Sequence, residues 1–537
     1  MEILEKEFFS IRRKMLANFK EQFEKHLELG EKEIPIKSFG AVNGVYHERG
    51  NEVYFIRPRV RAGVLSLKQL KGISDIAAQY GDGEIKLTTR HGLQIRGVRK
   101  ENVYTTLDEL AKYGLYTQAV GGKSIRNMVI SAYSGFEDEA FDITPYAVRS
   151  VNYLFQNEDT YSLPGKLKFA ASNKETDEGN AKYSDMGFIA KKIDGENYFE
   201  IYFDFGMNLS MKNPYRYSKV IKAEEMVYYL RATVMMFKDN MDMKNPRARL
   251  RTMCRMMGVE AFEEKYPQYL QKAREEIDAI IDVKKLYSDI DVKYKEKPWA
   301  KKVDFIQRGL TNAEIRNIKE CFYQEGIYAV KLKYRGGVIK KGELALLVKY
   351  LEKVSHDIKI RLSNNQDIII FDLSGDEAID IVKIFNSLLV KTDLEDSITC
   401  TGMPRCRLAI TSSKITMDNI LKYFDKHDTN LKKQLPMIRM SGCPNSCSLI
   451  FKGTLGFAGM IKSVDDERKM AYTMISENKN IIHSMKAVIV EENMPKMLFE
   501  LAQCREKFEK FNTDVKNFDD FVNKNADEVN EIIAKYM

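Results

Sequence analysis

The sequence is short of several things. No run reaches about 18 apolar residues, so no stretch reads as a membrane span. Seven cysteines are few for 537 residues, and their number is odd. A disulfide framework is therefore not expected, and a cytoplasmic location fits. The six histidines show no metal-ligand spacing. There is no Walker A sequence and no dinucleotide fingerprint, so no nucleotide or flavin module is evident. The start, MEILEKEFFSIRRKMLANFKEQFEKHL, lacks the basic start and apolar core of a secretory signal and reads as a surface helix stopped by Gly30. No low-complexity segment stands out.

What is present is an ordinary globular composition, 44% hydrophobic and 30% charged, in a chain long enough for about three or four domains. Lys+Arg at 85 against Asp+Glu at 77 is only mildly basic, but the cations are segregated. YFIRPRVRAG (54–63) carries Arg57, Arg59 and Arg61 at alternating positions. Read as a strand, LTTRHGLQIRGV (87–98) with Lys86 before it puts Lys86, Thr88, Arg90, Gln94 and Arg96 on one face. LPGKLKFA (163–170) holds Lys166 and Lys168, and YAVKLKYRGG (328–337) holds Lys331, Lys333 and Arg335. None of the four stretches contains an acid. One such strand is usually a solvated sheet face; four suggest an anion-binding surface.

The chain also repeats itself. YFIRPRVRAGVLSLKQL (54–70) aligns without gaps on YAVKLKYRGGVIKKGEL (328–344), and IKLTTRHG (85–92) lies over IRLSNNQD (360–367) after a one-residue slip. Both copies read strand, helix, strand, helix, as expected of a duplication rather than a short-period solenoid.

Four cysteines are clustered. CTGMPRC places Cys400 six residues before Cys406, and SGCPNSC places Cys443 four before Cys447. Four thiolates on two bent, Gly- and Pro-containing segments can ligate zinc or an iron–sulfur cluster, or be inert core residues. The first gap is wide for structural zinc, and a cubane [4Fe–4S] cluster is the favoured reading. Cys254, Cys321 and Cys504 are isolated and read as core.

The paired spacing C-x5-C and C-x3-C, with the second pair inside GCPNSC, resembles the sulfite/nitrite reductases that couple sirohaem to a [4Fe–4S] cluster. The duplication resembles that family too, and the likeness runs from about residue 45 to 465. It implies an α+β fold built of two ferredoxin-like half-domains and two sirohaem/cluster-binding α/β domains related by pseudo-twofold symmetry. The corresponding division is an N-terminal helical arm (1–44), half-domain 1 (45–117), sirohaem-binding domain 1 (118–290), half-domain 2 (291–390), and a [4Fe–4S]/sirohaem domain 2 with a helical tail (391–537). By the same resemblance Arg90, Arg126, Lys166 and Lys168 would hold the substrate. Arg57, Arg59, Thr88, Asn127, Arg247, Arg249, Arg251, Asn365 and Gln366 would contact sirohaem. Cys400, Cys406, Cys443 and Cys447 would ligate the cluster, with Cys447 bridging to the sirohaem iron.

The implied activity is six-electron reduction of sulfite to sulfide, or of nitrite to ammonia, with electrons from an external donor such as ferredoxin. Lys168, where plant-type nitrite reductases tend to have Asn, leans toward the sulfite dianion. Basic strands around a polyanionic cofactor then make sense: burying carboxylates and an oxyanion needs matching cations, and acids there would repel the ligand. The chain departs from the usual pattern at Ser446, where Gly is common, at His91, where Gln is usual, at Gly165, where Arg is common, and in the glycine-poor turn YFDFGMNLS. A nucleic-acid-binding protein or a structural iron–sulfur protein without sirohaem would share the cysteines. The first would interleave aromatics with the cations for base stacking, which the 85–98 stretch does not; the second would not need Lys166 and Lys168. No nucleic acid or membrane partner is expected.

Overall fold

The computed structural model describes the chain except Met1, residues 51–52, 207–213, 246, 289, 291–295 and 483–486, and the side chains of 2–7. Most of the glycine-poor turn therefore lies outside the described residues. The strands form four five-stranded sheets.

Two of these sheets are antiparallel and interlocked. The first runs Val45–His47, Tyr54–Ile56, Leu93–Val98, Ile85–Leu87, and ends on Val338–Ile339, a strand from the second copy of the repeat. The other runs Ile318–Glu320, Tyr328–Lys333, Asp367–Leu373, Lys359–Leu362, and ends on Val64–Leu65 from the first copy. The exchanged strands pair Ile339 with Ile85, and Leu65 with Ile360. Each copy thus supplies the short terminal strand of its partner's sheet. One apolar core accordingly contains both copies, with Ile73, Ile95 and Leu107 alongside Leu347, Ile370 and Ile381. One helix in each copy begins at a capping box, Ser66 with Gln69 and Ser374 with Glu377, each satisfying two orphan donors of the first turn.

The remaining sheets repeat one another as well. In the first, Val129–Ile130, Phe169–Ser172 and Met186–Ile193 are parallel, followed by antiparallel Glu196–Phe203 and Tyr215–Lys222. In the second, Ile398–Thr399, Ile438–Ser441 and Leu455–Val464 are parallel, followed by antiparallel Glu467–Ile475 and Val488–Val490. Each packs helices over its own core, around Phe188 and Phe237 in one and Phe457 and Leu498 in the other. The mixed α+β architecture and its internal pseudo-symmetry follow. The N-terminal helix spans Glu2–Leu29 and ends at Gly30, which takes φ +89°. No described helix is long and apolar enough to cross a membrane.

Two local expectations change. The stretch 85–98 is a hairpin, not one strand: Ile85–Leu87 and Leu93–Val98 pair with Leu87 opposite Leu93. Thr88 makes the turn, its Oγ1 accepting from the backbone N–H of Arg90 and Gly92, while His91 adopts φ +51°. Arg90 therefore projects from a turn, not from a strand face. The strand expected over VYFIRPRV stops at Ile56, before Pro58, whose missing N–H cannot join a ladder.

Candidate active site and cofactor cleft

The glycines at the centre of the duplication bring the turns together. Gly63 takes φ +81°, and a Cβ there would meet the Leu362 carbonyl at 2.4 Å and His91 Nδ1 at 2.5 Å. Gly337 takes φ +72°, with the Leu87 carbonyl at 2.4 Å and Gln366 Nε2 at 2.9 Å. Each glycine thus abuts the turn of both copies, and no larger residue fits. His91 is fully buried beside Arg361 and Arg90, and burial first, then those cations, pushes its pKa down to about 3, so the ring is neutral. Its role here is to fill the seam.

From this frame the cations converge. Arg90 is aimed by Nη1, which donates to the carbonyls of Asn127 (3.2 Å) and Phe169 (3.4 Å). Asn127 returns the contact, its Nδ2 donating to the carbonyls of Arg90 (3.2 Å) and His91 (3.1 Å). Arg126 donates to the Gly122 carbonyl at 2.7 Å and to Ser124 Oγ at 3.3 Å. Lys166 and Lys168 precede the strand Phe169–Ser172. Burial first, then the charges of Arg90, Arg249 and Lys166, push the Lys168 ammonium down to about 7, with Asp185 opposing. Lys166 is lowered by burial, then by Arg249 and Arg126, and it feels the Cys447 thiol. Arg90 and Arg126 are each pushed to about 10, burial leading. Lys166 and Cys447 keep accessible surface, yet protein surrounds them closely enough to perturb both.

Among the described residues Asp185 is the one carboxylate acting on this group, and sequence reading missed it. It binds Arg249 Nη2 at 2.9 Å and accepts from the Lys168 backbone N–H at 2.8 Å. Thr89 was missed too; its hydroxyl donates to the Cys447 carbonyl at 2.7 Å and ties the Arg90 turn to the cysteine loop. Neither carries a signal beyond its neighbourhood, Thr89 because the hydroxyl could as well have closed its own turn.

The remaining expected residues divide. Arg57 lies over the Tyr46 ring and Arg59 over Phe155, and Arg57 Nε, Arg59 Nη1 and Arg249 Nε are buried without a hydrogen-bond partner. Arg249 is drawn into the cleft, while Arg247 is exposed and neither it nor Arg251 is among the charges acting on Arg90, Arg126, Lys166 or Lys168. The Thr88 hydroxyl donates to Gly92 within its own turn. Gln366 is buried and donates to the Thr399 carbonyl at 2.9 Å, just ahead of Cys400, and Asn365 gives its carbonyl to Lys333. Gln366 and Asn127 brace the two turns.

Two of the acid-free stretches find their counter-charge elsewhere in the chain. Lys331 and Lys333 pair with Asp396 at 2.8 and 2.9 Å, and Lys333 lies 3.5 Å from Asp367. Arg96 lies 3.4 Å from buried Glu48, which also binds Arg405 at 2.8 Å. The cations left to account for are thereby narrowed to Arg90, Arg126, Lys166, Lys168 and Arg249.

The four clustered cysteines are all free, and Cys400, Cys406 and Cys443 lie near enough to act on Cys447. Burial and the neighbouring Cys400 thiol push Cys447 up to about 11, with Lys168 opposing, and Cys443 is raised by burial, then by Cys400 and Cys406. The Gly442 N–H donates to Cys400 Sγ at 3.1 Å. Among the described residues no three of these thiols lie within 4.8 Å of one another. Zinc at about 2.3 Å from each sulfur would draw four thiolates to roughly 3.8 Å apart; a cubane, each thiolate capping a different iron, keeps them further apart. Ser446 in this loop takes φ +52°, a backbone region that favours glycine, and its Oγ accepts from the Ile450 N–H at 3.1 Å.

Comparison with known proteins follows the same line. The family descriptions "Nitrite/Sulfite reductase ferredoxin-like half domain" and "Nitrite and sulphite reductase 4Fe-4S domain" match residues 47–113 and 121–274. These two segments place the first copy of the repeat in the sirohaem/[4Fe–4S] sulfite/nitrite reductase family. Both matches fall in the first copy of the repeat, so the clustered cysteines stand outside them. The chain is 24% identical over 452 residues to the beta subunit of NADPH sulfite reductase from Schizosaccharomyces pombe, covering 74% of this chain and 29% of that protein. It is 23% identical over 455 residues to the hemoprotein beta-component of NADPH sulfite reductase from Bacillus subtilis, covering 76% and 74%. It is 21% identical over 417 residues to ferredoxin sulfite reductase 1 from Mycolicibacterium paratuberculosis, covering 76% and 70%. The solved structure of NirA from Mycobacterium tuberculosis shares the fold, with a TM-score of 0.72, 18% identity, and 92% and 91% of the two chains covered.

Sirohaem and a [4Fe–4S] cluster are the cofactors of this sulfite/nitrite reductase family, and the residues fit both. Orphaned arginine nitrogens and cations shifted by burial and mutual repulsion are what a polycarboxylate ligand would satisfy. Thiols gathered but held apart suit the cluster.

Proposed function

We propose that this chain reduces sulfite to sulfide, taking six electrons from a separate one-electron donor protein such as a ferredoxin. The observation that carries the reading is the convergence of Arg90, Arg126, Lys166 and Lys168 beside Cys447, with Asp185 the one carboxylate among the described residues acting on them. In this reading Cys400, Cys406, Cys443 and Cys447 hold the cluster, with Cys447 shared with the sirohaem iron, and Arg57, Arg59 and Arg249 hold sirohaem carboxylates. When bound, the sirohaem–cluster pair supplies the electrons and the iron that takes the substrate's central atom. The chain does the rest. Arg90 and Arg126, their guanidinium groups already fixed by backbone carbonyls, present paired donors to the oxyanion before it arrives. Lys168 can hold a proton at Nζ and give it to a departing oxygen. Lys166, more accessible, can restore that proton from water. A cytoplasmic site of action fits the free cysteines.

Reduction of nitrite to ammonia by the same residues is the second reading. Charge separates the two, since Lys168 adds a cation that a dianion uses more fully than a monoanion. The test is steady-state kinetics of the holoenzyme with a chemical one-electron donor. Wild type should show the higher kcat/KM for sulfite, and Lys168→Asn should lower sulfite kcat/KM about tenfold more than nitrite kcat/KM, roughly 1.4 kcal/mol of discrimination. A wild-type preference for nitrite, or an equal loss for both substrates, would sink the sulfite reading.

A further inference from the structure

The histidines show no ligand spacing along the chain, yet two of them meet in space. His26 stands in the last turn of the helix Glu2–Leu29, Glu31 in the turn after Gly30, and His47 at the end of the strand Val45–His47. Both imidazoles are buried, 4% and 5% exposed. The tautomer of His26 follows from its partner. Its Nδ1 lies 2.7 Å from the Ile34 carbonyl oxygen, which can only accept, so Nδ1 carries the proton and Nε2 presents a lone pair. That Nε2 is 3.2 Å from His47 Nε2 and 3.2 Å from the Tyr54 hydroxyl. His47 Nδ1 is 3.5 Å from Glu31 Oε2, which also accepts from the Ile36 N–H at 3.0 Å. Glu31 Oε1 accepts from Arg407 at 3.1 Å. One ligand atom from each of His26, Glu31 and His47 lies within 4.8 Å of the others.

We propose that His26, His47 and Glu31 form a structural zinc site, distinct from the cysteine centre. Zinc–nitrogen bonds of about 2.0–2.1 Å at tetrahedral angles set ligand atoms roughly 3.3 Å apart. The 3.2 Å between His47 Nε2 and His26 Nε2 matches that edge, while the 3.5 Å to Glu31 is made by the other His47 nitrogen, Nδ1, so the ion takes one of the two and the Glu31 carboxylate closes in from within 4.8 Å. The bond from His26 Nδ1–H to a backbone carbonyl is the outer contact that fixes a metal-binding imidazole with Nε2 toward the ion. The donor set, two imidazoles and a carboxylate, is one zinc takes readily. Tyr54 borders the remaining position. An ion there joins the N-terminal helix to the first strand of the interlocked sheets. Through Glu31 and Arg407 it also joins both to the residue that follows Cys406.

The same geometry would suit a doubly protonated His47 donating to His26 and Glu31, and the experiment separates the two. Holoenzyme with its iron counted is dialysed against micromolar zinc chloride, desalted, and its zinc measured by mass spectrometry, beside His26→Gln and His47→Gln. The proposal expects about one zinc per chain in wild type and under about a tenth of that in either variant, with iron unchanged. Zinc should also raise the unfolding temperature of wild type and of neither variant. If a variant fails to fold, Glu31→Gln, on the partly exposed ligand, should bind zinc at least about tenfold more weakly than wild type. No retained zinc in wild type, the result for a protonated His47, overturns the proposal. Equal zinc in wild type and the variants overturns it too.

Discussion

Lys168 offers the sharpest quantitative test of the cleft. Burial, then Arg90, then Arg249 and Lys166 beyond the opposing Asp185, bring its pKa from 10.5 to about 7. The fall of ~3.5 units, at about 1.36 kcal/mol per unit, is roughly 5 kcal/mol of destabilisation by the charged form in the cofactor-free fold. The sign is set by the unfolded chain, where the lysine keeps its ordinary pKa. Between about pH 7 and 10.5 the unfolded state binds the extra proton, so stability rises with pH across that window, and the penalty is complete below pH 7. Lys168→Met keeps the apolar stem and removes the charge. Made in a host without sirohaem, the variant should exceed wild type by about 2–5 kcal/mol at about pH 6, water in the cleft trimming the larger figure. The gap should close as pH approaches about 10. Urea unfolding at both pH values reads it directly. A variant less stable than wild type at the lower pH, or a gap that stays constant between the two, would refute the account of an uncompensated cationic cleft. In the loaded enzyme the sirohaem carboxylates should offset the charge, and the gap should shrink.

Three further outcomes follow from contacts at the frame of the site. Glu48→Gln leaves fully buried Arg96 and its neighbour Arg405 without their shared carboxylate, and should lower unfolding stability by about 3–5 kcal/mol in denaturant titrations; a loss under about 1 kcal/mol would contradict it. Gly337→Ala forces a side chain into a positive φ and to within 2.4 Å of the Leu87 carbonyl, and should cost about 2–4 kcal/mol, read as a lower unfolding midpoint, whereas a neutral result would mean the two turns are not in contact. Thr89→Val removes the bond to the Cys447 carbonyl and should cost about 1 kcal/mol while changing the electron paramagnetic resonance signal of the reduced cluster; an unchanged signal would separate that turn from the cysteine loop.

The duplication, the four-cysteine cluster and most helices are legible in the sequence because each rests on local pattern: apolar spacing, capping residues, and thiols close in the chain. The hairpin at 85–98 was misread because alternation continues on either side of a five-residue turn, and Thr88 and His91 closed that turn without a proline or an Asn-Gly pair to announce it. The strand exchange could not be read from either copy alone, since Val338–Ile339 pairs with Ile85–Leu87 only after both copies have folded. The counter-charges were invisible for a related reason. Glu48 meets Arg405 from 357 positions away, and Asp396 meets Lys331 from 65. The absence of acids within a strand says nothing about acids delivered to it by another segment.

That point explains why two similar copies would have different uses. Arg57 and Arg59 of the first copy stand where Lys331 and Lys333 stand in the second, and Arg90 where Asn365 stands. In the second copy the cations are neutralised internally by Asp396 and Asp367, and the turn carries an amide in place of a guanidinium. In the first copy Arg59 is held by a neutral carbonyl, with one of its nitrogens unsatisfied, and Arg90 by two more carbonyls. Buried charge without a partner is expensive, and a fold keeps it only where something else completes it. The pseudo-symmetric frame therefore carries two structurally equivalent positions, but the free-energy deficit lies at one of them. An anion gains at the first and would meet Asp396 and Asp367 at the second. Charge placement alone, on a symmetric scaffold, is enough to make the proposed oxyanion site single.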